Sequence, residues 1–204
     1  MGWWKFLNDQ RVERWLQKLV TTPGLTSVGD LEEARRVHVD GSLTAAPLLG
    51  GGPVVDVGSG GGSPGIPLAA VRPELEFHLL ESSRKKCGFL EEVAADFSNV
   101  EVVCARAEEH ARGAGRDAYA TALSRALAPP PVAAEWCLPL VAPGGRALLF
   151  VGPSAAAEPV ARVAAQLGAE GPEDLHGFFV LHKVEPTPVG FPRRPGVARK
   201  RPLA

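Results

Sequence analysis

The stretch VVDVGSGGGSPGIPLAAVRP, from Val54 to Pro73, constrains the fold more than any other part of the chain. An apolar run ends at Gly58, and glycines follow at 60, 61, 62 and 65. Glycine loses more conformational freedom on folding than any other residue, so this density implies a backbone that something approaches closely. An apolar run, a glycine turn and a helical pattern in succession read as a buried parallel strand feeding a helix. Backbone N–H groups and a helix N-terminus then meet at one point, which favours anionic or polar ligand groups. In open α/β sheets the ligand crevice lies beyond the carboxyl ends of the strands.

The rest of the chain repeats that grammar. LEFHLL (75–80), VEVVCA (100–105), a strand within AYATALSRA, RALLFVG and FFVLHKVEP read as strands. Helical patterns at 83–97, in PPPVAAEWCLPLV and in EPVARVAAQLG separate them. Such alternation predicts a doubly wound α/β sheet, Rossmann-like and mostly parallel, with helices on both faces. Upstream, Val12, Trp15, Leu16, Leu19 and Val20 form an apolar helical stripe after Asp9, and Asp30 caps a second short helix. We read residues 1–50 as a helical cap, 51–186 as the core and 187–204 as an extended basic arm, together one compact domain.

The formal net charge of −1 gives no global field for nucleic acid, yet residues 191–204 carry five basic side chains and no acidic one. No apolar run reaches spanning length and no signal-peptide pattern opens the chain, so a cytoplasmic, membrane-free monomer is expected. Three scattered cysteines, Cys87, Cys104 and Cys137, read as reduced thiols in packing positions. His38, His78, His110, His176 and His182 show no metal-ligand spacing, and no metal is expected.

Gly60, Gly62 and Gly65 formally satisfy G-x-G-x-x-G, a weak dinucleotide signal alone. Asp56 before the turn, and Pro64 and Pro67 at the helix entry, argue against a nicotinamide site. DVGSGGG instead looks like motif I of class I S-adenosylmethionine-dependent methyltransferases. Glu81 at the second strand end would accept both ribose hydroxyls; the plain alternative is a helix cap. Ala107 and Glu108, after the third strand, would meet the adenine edge.

Together DVGSGGGSPGIPLA, VRPELEFHLLESSRKKCGFL, RAEE, SRALAP, LPLVAPGG and FPRRPGVARKRPL resemble the RsmG (GidB) family, bacterial methyltransferases that make 7-methylguanosine in 16S ribosomal RNA. The resemblance runs from about residue 24 onward. It implies S-adenosyl-L-methionine at Gly58 and Ser63, at Glu81, Ser82 and Ser83, at Ala107 and Glu108, and at Arg125 of SRALAP. Arg125 at a strand end would hold a carboxylate or a phosphate, or else form a structural ion pair. Where the family reads H-x-x-D-S-L this chain has HVDGSL, with its carboxylate one place early at Asp40. Where the family has lysine before a glycine, Val151 precedes Gly152.

Guanine N7 carries a free lone pair, so its methylation needs alignment and water exclusion rather than a general base. No catalytic residue is singled out, in keeping with the absence of a Ser/His/Asp or Cys/His arrangement. Arg193, Arg194, Arg199, Lys200 and Arg201 are expected to grip 16S ribosomal RNA or the small subunit through phosphate contacts. A small-molecule methyltransferase and a catalytically silent cofactor-binding RNA protein are the rival readings.

Overall fold

The computed structural model describes residues 9–175 and 177–204; His176 and the opening MGWWKFLN lie outside the described residues. Helix α1 (Gln10–Thr21) starts where Asp9 accepts from Arg11 N, and buries Val12, Trp15, Leu16 and Leu19. Helix α2 (Leu31–Ala34), capped by Asp30, runs through a π-helical turn (Arg35–Asp40) into α3 (Gly41–Leu43). The core then alternates β1 (Val54–Val57), α4 (Gly65–Val71), β2 (Phe77–Glu81), α5 (Arg84–Ala94), β3 (Val100–Cys104), α6 (Ala107–His110), β4 (Tyr119–Arg125), α7 (Pro130–Cys137), β5 (Val141–Phe150), α8 (Ala157–Gln166), β6 (Ala169–Asp174) and β7 (Phe178–Lys183). A last turn of helix, α9 (Val197–Lys200), follows.

The seven strands lie in the order β3-β2-β1-β4-β5-β7-β6. Strands β1 to β5 pair in parallel, and β7 runs antiparallel to both of its neighbours. Every residue of β1 is buried, as befits a parallel strand with helices on both faces. Strand order reverses at β1, between β2 on one side and β4 on the other, and this is where open sheets bind ligands.

The resemblance implies seven strands, as found, but no segment was read as β6. Its AEGPED holds glycine, proline and three acids, no strand signature, but it pairs only with β7 at the sheet edge. Proline lacks a ladder donor and is tolerated at an edge.

The α1 stripe packs with Ile66 and Ala70 of α4 and with Leu90 and Val93 of α5 in one apolar cluster. At about 1.5–3 kcal/mol per large apolar side chain buried, α1 is a structural layer rather than an appendage. The C-terminal segment is also packed, which corrects the extended arm. Arg193 lies against Glu135, Pro192 O accepts from Arg112 Nη2 at 3.1 Å, and Arg116 donates to Phe191 O and Thr187 O at 2.7 and 2.6 Å. The segment is a strap across α6 and α7.

Candidate active site

The loop after β1 turns on Gly58 (φ +72°), where a Cβ would collide with Leu127. Gly58 N and Ser59 N both donate to Leu80 O, at 2.7 and 3.2 Å, so the turn is pinned to β2. Farther along, the close approach comes from α1. A Cβ at Gly61 would collide with Leu19, and one at Gly62 would lie 3.1 Å from Trp15 Nε1. Trp15 Nε1 donates to Gly61 O at 2.7 Å. The expectation that a ligand claims this space is therefore corrected: the chain's own helix claims much of it.

The acidic residues also stand differently from expectation. Asp56 is buried, and its Oδ2 accepts from Gly65 N at 2.9 Å. The helix N–H that the sequence offered to a ligand is thus taken by the chain itself. Burial raises the Asp56 carboxyl to about 7, against the opposing pull of the Gly65 N–H and of Arg125. Glu81 Oε1 accepts from Ser82 N and Ser83 N at 2.7 and 2.8 Å, and Oε2 from Gly60 N at 3.0 Å. Two bonds fill Oε1, so Oε2 alone retains an open lone pair. Bidentate capture of a ribose is corrected to at most one hydroxyl; the other oxygen ties down the turn before α5 and reaches no N–H of the helix itself.

Two cavities open beyond the strand ends and share Gly58. The first, about 150 Å³, lies among Leu80, Ser82, Ala107, Glu108, Leu127 and Trp136, with Arg199 of the strap at its wall. The second, about 340 Å³, lies among His38, Gly60, Ser63, Lys86 and Arg125. Asp56, Gly62, Glu81 and Ser83 line neither; they shape the walls from behind.

Residues 10–174 match the family described as "GidB: rRNA small subunit methyltransferase G". The chain belongs to this family. Among its relatives are two proteins named ribosomal RNA small subunit methyltransferase G. That of Moorella thermoacetica is 36% identical over 197 residues, covering 88% of this chain and 82% of that protein. That of Rubrobacter xylanophilus is 42% identical over 179 residues, covering 79% and 69%. The solved precorrin-6y C5,15-methyltransferase of Geobacter metallireducens GS-15 superposes with TM-score 0.53 at 17% identity, covering 81% and 94%, a likeness of fold alone.

In this small subunit methyltransferase G relative, Arg125 lies at the seam between cap and core. It donates to Val37 O at 2.8 Å, Ser63 Oγ at 3.1 Å and Ser42 Oγ at 3.2 Å, all neutral acceptors. A Cβ built at Gly41, where the resemblance would put an aspartate, would lie 3.6 Å from Arg125 Nη2. Arg125 has no ion pair among the described residues. His38 Nε2 meets Thr26 Oγ1 at 2.8 Å, and burial, with Arg125 nearby, lowers its pKa.

Glu108 is buried at the wall of the first cavity, where its Oε1 accepts from Gly196 N of the strap at 2.9 Å. The sequence placed Glu108 by the cofactor and the tail by RNA; the fold joins them. Arg193 donates to Glu135 through Nε and Nη2 at 2.6 and 2.5 Å, so it is committed to the interior. Arg194, Arg199, Lys200 and Arg201 are exposed and have no ion pair among the described residues. Leu127, Trp136 and Lys86 were not foreseen, since neither periodicity nor motif marks them.

The cysteine reading is corrected too. Cys87 in α5 and Cys104 at the end of β3 are joined as a disulfide with Cα atoms 5.8 Å apart, and Cys104 is exposed. Cys137 is free and buried, and burial pushes its thiol well above the ordinary value. At the opposite end of the sheet, ligand atoms of Glu76, His78 and Glu101 lie within 4.8 Å of one another. No helix among the described residues is long and apolar enough to cross a membrane.

Proposed function

We propose that this protein transfers the methyl group of S-adenosylmethionine to guanine N7 of small-subunit ribosomal RNA. The observation that carries the reading is the two-lobed groove at the strand-order reversal, in a chain whose family is the small subunit methyltransferase G family. The first lobe fits an adenosine: Leu80, Leu127 and Trp136 supply apolar faces, and Glu108 and Ser82 supply polar atoms. Trp136 Nε1 is a buried side-chain donor with no acceptor among the described residues, and it belongs to this wall. A purine and its ribose bring the acceptors that such a donor lacks.

When bound, the cofactor supplies an electrophilic methyl on a sulfonium. The chain's part is orientation. Gly58 and Gly60 bring backbone against the joint of the two lobes, and Ser63 and Arg125 present polar groups in the second lobe. N7 attack requires neither a general base nor a nucleophilic side chain, because no proton leaves the base, so His38 in this lobe has no proton to take. Specific reading of one guanine needs it unstacked into the second lobe.

Lys86 and Arg199 at the lobes, with exposed Arg194, Lys200 and Arg201, form the cationic approach to RNA phosphate in this reading. Each phosphate contact removed should lower the slope of log affinity against log salt by up to about 0.7–0.9. The deciding experiment incubates the protein with labelled S-adenosylmethionine and either assembled small subunits or naked 16S RNA, then identifies the base by mass spectrometry. A 7-methylguanine product is expected. Label transferred only to small molecules, or cofactor binding without transfer, overturns it in favour of the corresponding rival.

A further inference from the structure

We propose that the Cys87–Cys104 pair is a thiol–disulfide site that sets the affinity of the cofactor groove according to redox state. This rests on the proposed function, because it assigns the regulation of that same groove. Cys87 sits in the first turns of α5, directly after the Glu81-Ser82-Ser83 turn, and Cys104 is the last residue of β3, directly before Ala105. Both chain ends line the first lobe: Ser82 after β2, and Ala105, Ala107 and Glu108 after β3.

The register is fixed beneath them. Glu81 is the partner of Cys104 in the β2–β3 ladder, and Ala105 N donates to Glu81 O at 3.0 Å. Beyond that last rung, the covalent link is what ties α5 to the end of β3. With the bond closed, the two walls of the lobe are held at one separation. With it open, they are held by the ladder and by α5 packing alone, and the lobe must be ordered by the ligand at its own expense.

The site is chemically accessible from one side. Cys104 is exposed while Cys87 is buried. A thiolate of a small cellular thiol attacks the Cys104 sulfur, the S–S bond breaks, and the Cys87 sulfur leaves as a thiolate and takes a proton. A second thiol molecule attacks the mixed disulfide, releasing Cys104 as a thiol and the small molecule as its disulfide. Two electrons pass from two thiols to one disulfide, with no other oxidant or reductant. Cys137, buried and with its thiol pKa raised, stays out of this exchange and serves as an internal control.

Coupling is reciprocal: if the closed bond favours the cofactor, bound cofactor must favour the closed bond by the same factor. The full chain is equilibrated in air or in excess reduced glutathione, then acid-quenched, alkylated and mapped by mass spectrometry. The same samples are titrated with S-adenosylmethionine by calorimetry. We expect a linked 87–104 peptide in air, free thiols after reduction, and affinity weaker by about fivefold or more in the reduced state. Saturating cofactor should raise the glutathione concentration needed for half-reduction. Cys104→Ser, an exposed change that leaves the core alone, should bind like the reduced protein in both buffers.

Free, alkylated Cys87 and Cys104 in air overturn the proposal. Equal, measurable affinity in both states overturns it while leaving the proposed function standing. Absence of binding in both states overturns the two together.

Discussion

The N-terminal cap and the C-terminal strap both close on the groove, yet they are fastened by different chemistry. The cap is held by an apolar stripe, by the Trp15–Gly61 hydrogen bond and by Arg125 reaching neutral acceptors. The strap is held by charge. Glu135, 3% exposed, takes both arms of the Arg193 guanidinium. Arg112 and Arg116 donate to strap carbonyls, and Lys183, fully buried, donates to Thr187 Oγ1 at 2.8 Å. The difference follows from composition. A segment with prolines at 186, 188, 192 and 195 keeps its carbonyls but lacks many N–H donors, so the body must supply donors, and arginine supplies several in one plane.

That contrast predicts the largest effect at the strap. Glu135→Ala leaves a half-buried guanidinium without its partner and should cost about 3–5 kcal/mol of unfolding free energy by denaturant titration. Arg14→Ala, which removes the exposed Arg14–Asp96 pair beside the cap, should cost at most about 1 kcal/mol. Comparable losses from the two would erase the distinction.

Next comes pH, which acts on the floor beneath the cap. Asp56 has a folded-state pKa of about 7 against 3.8 unfolded, so the native state binds the extra proton between those values. Stability from this group therefore falls as pH rises through that window, with a slope approaching about 1.4 kcal/mol per unit. Denaturant titrations from pH 4 to 8 should show the slope in the native chain and its loss in Asp56→Asn.

Smaller again is Trp15→Phe. It strands the Gly61 carbonyl and should cost about 1–3 kcal/mol, with thermal unfolding as the readout. An unchanged midpoint would mean that the cap depends on apolar packing alone. The smallest effect is a gain. Gly41 has φ −60°, open to any residue, and Gly41→Asp would place a carboxylate beside Arg125, adding up to about 1 kcal/mol of stability. The same change should weaken cofactor binding if Arg125 engages an anionic group of the ligand. Calorimetry alongside melting separates the two roles.

Local signals were legible in the sequence wherever one element decides its own state. Asp9 and Asp30 announce helix starts, the α1 stripe announces its buried face, and VVDVG announces a buried strand. Strand β6 was hidden because its pairing to β7 overrides an unfavourable composition. At the site, Gly58, Ser82, Ala107, Glu108, Ser63 and Arg125 were placed from motifs and do reach the groove. What each touches was not legible. The Glu108–Gly196 bond spans 88 residues and the Arg193–Glu135 pair spans 58, and no local pattern encodes such partners. The glycines misled for a related reason: a motif states that backbone must be bare, while only the fold says whether helix or ligand comes near.

The bond between Gly196 and Glu108 also gives the molecule a clock. During synthesis Glu108 emerges 88 residues ahead of its partner, a lag of roughly 4–18 s at ordinary elongation rates. Over that interval β4 to β7 are delivered in turn, and the sheet is complete at Lys183 while one wall of the first lobe still awaits Gly196. A growing chain therefore holds the lobe proposed for the methyl donor incomplete until its final segment is delivered. A protein stalled or cut short at that stage would be folded in most respects and still unable to begin work on the ribosome's own RNA.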